Sequence, residues 1–522
     1  MGKPIPPSFS APKFRLSAML CRPALVIGLG VLAGLIALRA YNLLLLPMFH
    51  DEAVHISWGQ YILANHAFSA RTDGGKYLQP FLLALILPLA DNPLLVARAL
   101  SAAIGLLAGI GCYLLARHLY RREDVALVAA SLYALAPFPL FHDRMALVDG
   151  LLSTLAIWGL LLSLVAVRHG RWWQILALGI CLGAAAATKL GGIIFAIFPL
   201  LAAWLWRGNL TRRRILLIII AAWLLSILGL LPAGLDFARQ YNYAISRSLA
   251  NSEMTGSAYL ALLSQNSRII ANTFWTYLTP PLLLLALAEA GLSLRRRDKS
   301  TWLLALAASV TPMFFFLTVS GMFFPRYLLP AFPFLLILAA RGLVALADWL
   351  WARKPWPVQQ FRWGFMAALF LLANLFAIRS DYLLLTDPPS ASWVALDREQ
   401  YIAGWSAGYG VTDAATYLRQ QADDFGTIIV LYADNASWPY NLNRPDIHLG
   451  LVDFGETVQP SFVRKLRESG ATVFAVLDRP HDDEGAVALT DGPYAASSTL
   501  VATFPRPGGE SRIEVYRIKA TP

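Results

Sequence analysis

Residues 49–62, FHDEAVHISWGQYI, place two adjacent acids, Asp51 and Glu52, directly after a long apolar stretch near residues 24–46. A helix that crosses a bilayer needs about 20 mostly apolar residues, and this stretch is long enough. The stretch also lacks a small-x-small cleavage site, so it is predicted to be a span and not a removable signal peptide. The acids are therefore predicted to emerge at a membrane surface.

The residues that follow the acids have helical spacing. Val54, Trp58, Tyr61 and Ile62 fall at i, i+4, i+7 and i+8, which predicts one apolar face of an amphipathic helix over residues 53–67. Such a helix after a first span is predicted to lie in the interface plane and to hold the acids near the headgroups.

The composition of the chain is that of a membrane protein. Of its 522 residues 57% are hydrophobic and only 14% are charged, with a mean hydropathy of +0.54. A soluble domain carries about 25% charged residues and a disordered chain is poor in apolar ones, so both classes are excluded. The pI of about 9.6 is attributed to cytoplasmic loops and not to nucleic-acid binding. The three cysteines suggest neither a disulfide framework nor a metal site.

The charge divides the chain into two parts. Residues 385–522 hold 11 Lys/Arg and 18 Asp/Glu, a net charge of −7. Residues 1–384 hold 32 Lys/Arg and 14 Asp/Glu, a net charge of +18. The fold class predicted is mainly α: a polytopic transmembrane helical domain followed by a small extracytoplasmic α/β domain. The predicted domains are a cytoplasmic tail (1–22), a membrane domain (23–385, with outer loops 48–93 and 236–271) and a C-terminal domain (390–522).

Hydropathy and basic loops together predict the topology. Eleven spans are expected, near residues 24–46, 94–117, 124–141, 147–167, 172–188, 190–206, 214–235, 272–293, 301–320, 326–350 and 362–384. With the short apolar stretch 77–90 outside the membrane, the basic loops all fall on one side, as the positive-inside rule requires. The N-terminus is then cytoplasmic, the protein lies in the plasma (inner) membrane, and the C-terminal domain is extracytoplasmic.

This topology brings ionisable residues to the outer face. Such groups at membrane depth are costly and usually functional. The ionisable residues on this face are Asp51, Glu52, Lys76, Arg144, Asp149, Lys189 and Arg326. Beyond the acidic pair, they lie in the segments GGKYLQPF (74–81), FHDRMALVDGLL (141–152), ATKLGG (187–192) and FPRYLLP (324–330). Acids beside bases on one face of an apolar bundle indicate a site for an anionic, lipid-linked substrate.

With these motifs, residues 20–385 resemble the GT-C superfamily of membrane glycosyltransferases, in particular its protein O-mannosyltransferase and aminoarabinose (lipid A) transferase branch. The resemblance rests on the acidic pair after the first span, on Arg144 with Asp149, on the loop lysine Lys76, on Lys189, and on the R-Y-x-x-P pattern at Arg326 and Tyr327. The resemblance implies a polyprenyl-phosphate-sugar-dependent glycosyltransferase that acts on an acceptor hydroxyl with inversion at the anomeric carbon.

The resemblance also implies roles for these residues. Asp51 is expected to be the general base, with Glu52 and Asp149 as further catalytic residues. The donor phosphate is expected to be bound by the cations Lys76, Arg144, Lys189 and Arg326 and by Tyr327. This division is chemically sound, because a hydroxyl nucleophile needs a base whereas a phosphate leaving group needs positive charge. The expected partners are the donor, membrane lipids and a glycolipid, polysaccharide or protein acceptor.

The sequence departs from the family at Gly75, where relatives often carry Glu before the loop lysine, and in loop 236–271, which has no histidine. Cofactors are therefore left open: a divalent metal is possible, with His50 and His55 as weak candidate ligands whose spacing is not H-E-x-x-H. Loop 236–271 is interpreted either as a lid or as a plain loop with a short helix.

Structural roles remain open beside these functional ones. Asp51 and Glu52 could cap the amphipathic helix, Arg144 and Asp149 could pair with each other, and Lys189 could reach to the interface. Arg39, Arg98 and Arg341 could contact lipid phosphate or pair with acids. For the whole protein, a membrane transporter or a non-catalytic cell-envelope assembly subunit is the alternative function.

The C-terminal part shows an α/β pattern. Residues 411–426 predict a helix with Thr412 as N-cap, followed by strands at 427–434 and 471–478 with a helix at 460–470 between them, and by later strands at 497–504 and 512–518. No glycine-rich phosphate loop is present in the sequence, so nucleotide binding has no support.

Overall fold

The structure is a computed structural model that describes residues 23–67, 72, 75–205, 210–230, 256–318, 323–353, 361–433, 435–452, 471–482, 498–509 and 511–518. The predicted tail 1–22, most of loop 236–271 and the predicted helix 460–470 lie outside the described residues.

The first half of the membrane part is a series of helices joined by short connecting segments. Its helices are α1 (Pro23–Ala40), α2 (His50–Asn65), α3 (Leu78–Ile86), α4 (Pro93–Tyr120), α5 (Glu123–Ala134), α6 (Pro137–His142), α7 (Val148–His169), α8 (Trp172–Thr188) and α9 (Phe198–Leu205). A 3-10 helix, Leu190–Ile197, joins α8 to α9.

The second half continues in the same way. Its helices are α10 (Arg212–Leu230), α11 (Gly256–Tyr277), α12 (Pro280–Arg296), α13 (Lys299–Thr318), α14 (Phe332–Ala352) and α15 (Phe361–Thr386), and a 3-10 helix, Pro325–Ala331, precedes α14. A segment with α16 (Ala395–Arg398) and a π-turn (Glu399–Ala403) leads into the C-terminal part. We call residues 388–406 the junction segment.

Five of the described helices are long and apolar enough to cross a membrane, or six if one bent pair is a single span. The five segments are Pro93–Tyr120, Val148–His169, Lys299–Leu317, Pro325–Ala352 and Arg362–Thr386. The structure thus confirms a helical membrane domain, whereas the count of eleven spans stays a prediction. Helix α3 and the 3-10 turn after it form a shorter apolar helix of twelve residues, Leu78–Leu89, or about 18 Å at 1.5 Å per residue. This is well short of a bilayer's roughly 30 Å hydrocarbon core and agrees with a non-spanning segment.

Two predicted spans are broken at prolines. The predicted span 272–293 is broken between α11 and α12, which meet at a bend of 111°. The cause is local: Pro280 and Pro281 cannot continue the preceding helix, and Thr279 takes a left-handed φ of 65°. The predicted span 124–141 likewise breaks before Pro137, the first residue of α6.

The predicted helix after the first span is present as α2. Of its predicted apolar face, Ile62 is buried, Val54 and Trp58 are half-buried and Tyr61 is exposed. The helix packs closely on α3, and a Cβ on Gly59 would lie 2.9 Å from the Cβ of Leu83. Its position in the membrane interface stays a prediction.

The C-terminal part is a five-stranded mixed sheet of order β2-β1-β3-β5-β4. Its strands are β1 (Ile428–Tyr432), β2 (Ile447–Leu451), β3 (Thr472–Arg479), β4 (Ser498–Pro505) and β5 (Arg512–Ile518). Strands β1, β2 and β3 are parallel, and β5 pairs antiparallel with both β3 and β4. Helix α17 (Val411–Phe425) covers one face, and α18 (Trp438–Asn441) follows β1.

The predicted strands are all present in this sheet, and β2 is an additional one. The cap of α17 is Gly410 and not the predicted Thr412, whose hydroxyl instead bonds the Gly408 carbonyl oxygen at 3.5 Å.

The sheet domain rests directly on α2. The backbone N–H of Ala436 donates to Nδ1 of His50 at 3.1 Å, and the Tyr440 hydroxyl donates to Oε1 of Gln60 at 2.9 Å. Helix α2, which carries the acidic pair, therefore contacts the C-terminal part directly.

Candidate active site

Asp51 lies in the first turn of α2 and pairs with a cation from a distant part of the chain. Its Oδ2 lies 2.8 Å from Nη2 of Arg326, in the 3-10 helix before α14. Burial raises the pKa of Asp51, but Arg326 and Lys76 outweigh it, so the pKa lies well below its usual range. In this arrangement Asp51 is an ionised carboxylate.

A second ion pair stands beside the first. Oδ1 of Asp149, in the first turn of α7, lies 2.9 Å from Nζ of Lys189, which follows α8. Both side chains are largely buried, and Arg326 is among the electrostatic neighbours of Asp149. Lys189 also lies 3.8 Å from the centre of the Tyr327 ring, so this ring touches the second pair.

Local sequence fixes the position of Lys189. The chain turns from α8 into a 3-10 helix that packs back on α8, and a Cβ on Gly192 would lie 2.1 Å from the Ala185 carbonyl oxygen. Only glycine permits this approach. Gly192, the second glycine of ATKLGG, is therefore part of what holds the lysine at the end of α8.

Lys76 reaches the same region through its loop. The N–H of Tyr77 donates to the Ala187 carbonyl oxygen at 2.8 Å, which ties the first outer loop to the end of α8. Nζ of Lys76 lies 5.6 Å from the centre of the Trp58 ring, and Lys76 is an electrostatic neighbour of Asp51. The structure thus brings together six predicted site residues: Asp51, Lys76, Asp149, Lys189, Arg326 and Tyr327.

Glu52 is adjacent in sequence but points elsewhere. Its carboxylate accepts from Nε and Nη2 of Arg98 at 2.8 and 2.6 Å and from the N–H of Ala146 at 2.8 Å, and it is fully buried. It also accepts from the N–H of Phe49 at 3.1 Å. The contacts with Arg98 and Ala146 tie α2 to α4 and to the segment before α7, and the contact with Phe49 lies within the start of α2 itself.

Arg144 is also placed apart from the two ion pairs. Its Nη2 donates to the carbonyl oxygens of Tyr41 and Asn42 at 2.7 and 3.0 Å. It does not pair with Asp149, whose partner is Lys189. The other arginines in or near spans pair with acids: Arg39 with Asp143 at 2.9 Å, and Arg341 with Glu289 at 3.8 Å.

The histidines near the site have protein partners or lie in aromatic packing. His50 accepts from Ala436, and Nδ1 of His55 lies 3.0 Å from the Ala146 carbonyl oxygen. Within the described ranges, no group of three or more His, Cys, Asp or Glu side chains is suited to hold a metal. His50 and His55 therefore do not fit a metal site with the residues described, and no step below is assigned to a metal.

Two residues of the junction segment also lie close to the site, and sequence reasoning missed both. Tyr401 packs against Phe49 and Phe141 with ring centres 4.8 Å apart in each case, and Arg326 is among its electrostatic neighbours. Asp397 accepts from the hydroxyl of Tyr277 at 2.7 Å. No motif marks them, because the segment follows two prolines and is not periodic.

The comparisons with known proteins agree with this architecture. A family model described as dolichyl-phosphate-mannose-protein mannosyltransferase matches residues 88–246. The solved structure of ArnT from Cupriavidus metallidurans in the apo state is similar with a TM-score of 0.57 and 18% identity, covering 96% of this chain and 98% of that one. The structure of the same protein bound to undecaprenyl phosphate is similar with a TM-score of 0.55 and 16% identity, and it too covers 96% of this chain and 98% of that one.

A third solved structure is more distant in sequence. The archaeal oligosaccharyltransferase AglB from Archaeoglobus fulgidus, in complex with an inhibitory peptide and a dolichol-phosphate, gives a TM-score of 0.54 and 15% identity, covering 91% of this chain and 72% of that one. No curated protein sequence matches the chain. The chain therefore has the fold of the GT-C glycosyltransferases, with the protein mannosyltransferase family model over residues 88–246, and the resemblance predicted from its sequence is confirmed.

Proposed function

We propose that the protein transfers a sugar from a polyprenyl-phosphate-linked donor to an acceptor hydroxyl on the extracytoplasmic side of the membrane, with inversion. The observation that carries the proposal is the convergence of two carboxylates with three cations at one end of the bundle. Asp51 and Asp149 each contact a cation within 3 Å, and Lys76 completes the set. The family model and the similar solved structures support a transferase of this class.

The reaction assigns one task to each group. Asp51 accepts the proton of the acceptor hydroxyl, and the oxygen attacks the anomeric carbon from the face opposite the phosphate. The bond between that carbon and the phosphate oxygen breaks, so polyprenyl phosphate leaves with the electron pair. Charge grows on the phosphate as this bond breaks, and Arg326, Lys189 and Lys76 stabilise it without giving up a proton.

Asp149 has a supporting role in this scheme. Its bond to Lys189 fixes the ammonium group at the outer end of α8. Positioned cations lower the barrier because the protein has already oriented them before the reaction. Glu52 and Arg144, which contact the scaffold, are assigned to positioning and not to the phosphate.

The test is transfer by the purified protein. Folded wild-type protein is incubated with a panel of labelled polyprenyl-phosphate sugars and with glycolipid, polysaccharide and peptide acceptors. Asp51→Asn is expected to lower kcat about 10²- to 10⁴-fold, the usual contribution of a general base. Asp91→Asn, an exposed acid in the same outer loop, is the matched control and should leave the rate unchanged.

Two results would contradict the proposal. One is the absence of transfer from every donor by folded wild-type protein, which would leave the protein as a candidate transporter or assembly subunit. The other is full transfer activity of Asp51→Asn, which would exclude Asp51 as the general base.

A further inference from the structure

The guanidinium of Arg326 is only partly used by the protein. Nη2 contacts Asp51 at 2.8 Å, whereas Nε and Nη1 are buried and have no hydrogen-bond partner among the described residues. The whole residue is 8% exposed. The rings of Phe49 and Phe324 lie 5.8 and 5.0 Å from its central carbon, so aromatic side chains pack near the guanidinium. Two strong donors thus remain available at the centre of the site.

The hydroxyl of Tyr401 is a third such donor. Tyr401 is 1% exposed, its ring is fixed against Phe49 and Phe141, and its hydroxyl has no hydrogen-bond partner within the described part of the chain. Its charged neighbours are site residues: Arg326 first, then Asp397, Asp149 and Asp51. Burial raises the pKa of Tyr401 far above its usual value, so the hydroxyl keeps its proton and donates at neutral pH.

The segment that carries Tyr401 is held firmly in place. The Tyr277 hydroxyl donates to Asp397 at 2.7 Å and accepts from the N–H of Val394 at 3.2 Å, which fastens the junction segment to the end of α11. The N–H of Gly404 closes the π-turn on the Glu399 carbonyl oxygen at 2.6 Å. A buried polar group usually has a hydrogen-bond partner, so a rigidly held hydroxyl without one points to a ligand.

The chemistry of the three donors selects the ligand. Two guanidinium N–H groups and a neutral phenol supply hydrogens and a positive charge, and an oxyanion supplies the matching acceptors. Asp149 and Asp51 already have cationic partners. A phosphate group at the end of an apolar tail fits both the donors and the bundle.

We propose that Tyr401 donates a hydrogen bond to the phosphate of the polyprenyl donor beside Nε and Nη1 of Arg326, so that the junction segment forms part of the donor site. The inference rests on the function proposed above and adds a residue outside the motifs that define the resemblance. It also gives the link to the C-terminal domain a direct contact with the substrate.

The test measures binding separately from transfer. The full-length protein is titrated with undecaprenyl phosphate and, in parallel, with the uncharged alcohol undecaprenol. Tyr401→Phe keeps the ring and removes only the hydroxyl. Loss of a hydrogen bond to a charged group corresponds to a Kd about 10- to 100-fold higher for the phosphate, and affinity for the alcohol should not change.

The matched control is Tyr409→Phe. Tyr409 is a partly buried tyrosine that packs in the same aromatic cluster, but its charged neighbours are Asp387 and Arg98 and not the site residues. The Tyr409→Phe variant should bind undecaprenyl phosphate with the same Kd as the wild type. In transfer assays Tyr401→Phe should raise KM for the donor far more than it lowers kcat, while the melting temperature without ligand stays close to that of the wild type.

Each other outcome has a definite meaning. Unchanged phosphate affinity in Tyr401→Phe, equal losses in both variants, or an equal loss for phosphate and alcohol would overturn the inference. If wild-type protein binds the phosphate but transfers no sugar, the proposed function fails and the comparison of the two variants still decides the role of Tyr401. If wild-type protein does not bind the phosphate, the inference fails as well.

Discussion

Asp397 is a buried carboxyl group whose charge state changes near neutral pH. Burial raises the pKa of Asp397 to about 7, although the bond from Tyr277 and the charge of Arg326 act in the opposite direction. The native protein therefore holds a proton between about pH 4 and pH 7 that the unfolded chain has lost. Because the native state binds more protons, its stability falls as the pH rises through this range.

The fall in stability with rising pH leads to a direct prediction. Asp397→Asn keeps an acceptor for the Tyr277 hydroxyl but cannot ionise, so it should stabilise the protein, and by up to about 3 kcal/mol more at pH 8 than at pH 5. Melting temperatures of the purified protein at the two pH values measure the effect. Asp387→Asn, at an exposed position of the same region, is the control. A gain that does not depend on pH would contradict the shifted pKa.

At this scale the sequence identified several side chains that the structure brings together, whereas their roles in a reaction stay predictions. Asp51, Lys189 and Arg326 could be found because each is an ionisable residue at the end of an apolar segment, where its cost implies a use. Glu52 and Arg144 satisfy the same rule, but their partners Arg98 and Tyr41 lie 46 and 103 positions away in the sequence. Pairing at that distance depends on how the helices pack and has no local signal.

The first turn of α2 is held in place by a buried ion pair. Both side chains of Glu52 and Arg98 are almost fully buried, and Arg98 also donates to the carbonyl oxygens of Leu43 and Leu46, each at 2.7 Å. The pair connects the end of the first helix, the start of α2 and the start of α4. The position of Asp51 therefore depends on it.

Arg98→Ala should destabilise the protein by about 3–5 kcal/mol, because it leaves the Glu52 carboxylate buried without its cation. The matched control is Arg117→Ala, which removes a pair with Glu123 whose side chains are 45% and 38% exposed. An exposed pair contributes about 0–1 kcal/mol. Thermal unfolding of the two variants in the same detergent compares their stabilities. Equal losses of stability would show that the buried ion pair stabilises the protein no more than the exposed pair does.

Elements were predicted best where hydrophobicity alone decides them. The long helices α4, α7 and α14 were found from their apolar composition, and the strands of the sheet from short apolar runs. The breaks before Pro137 and Pro280 were missed, although both prolines are visible in the sequence. Proline is tolerated in many membrane helices, so its presence does not show whether a helix bends or stops.

The whole molecule has a strong charge asymmetry that predicts its orientation. The membrane part carries +18 and the C-terminal part −7, and the basic residues of the former lie in loops on one predicted side. We therefore expect the sheet domain outside the cell membrane and the loop after α12 in the cytoplasm.

Cysteine labelling tests this orientation. Cys112 and Cys181 are buried, and Cys21 is replaced by Ser to lower the background. An impermeant maleimide should label Asp424→Cys, an exposed position in α17, on intact cells. It should label Arg295→Cys, an exposed position in α12, only after permeabilisation. The reverse pattern would invert the topology and place the candidate site in the cytoplasm.

The contact between Asp51 and Arg326 has a kinetic consequence. The carboxylate that is to activate the acceptor and the guanidinium that is to bind the donor neutralise each other at 2.8 Å. In the proposed reaction the donor phosphate competes for the guanidinium, and Asp51 becomes a stronger base when its counter-ion turns away. For the proposed reaction we therefore expect a compulsory order of binding, in which the acceptor is activated only after the donor has bound.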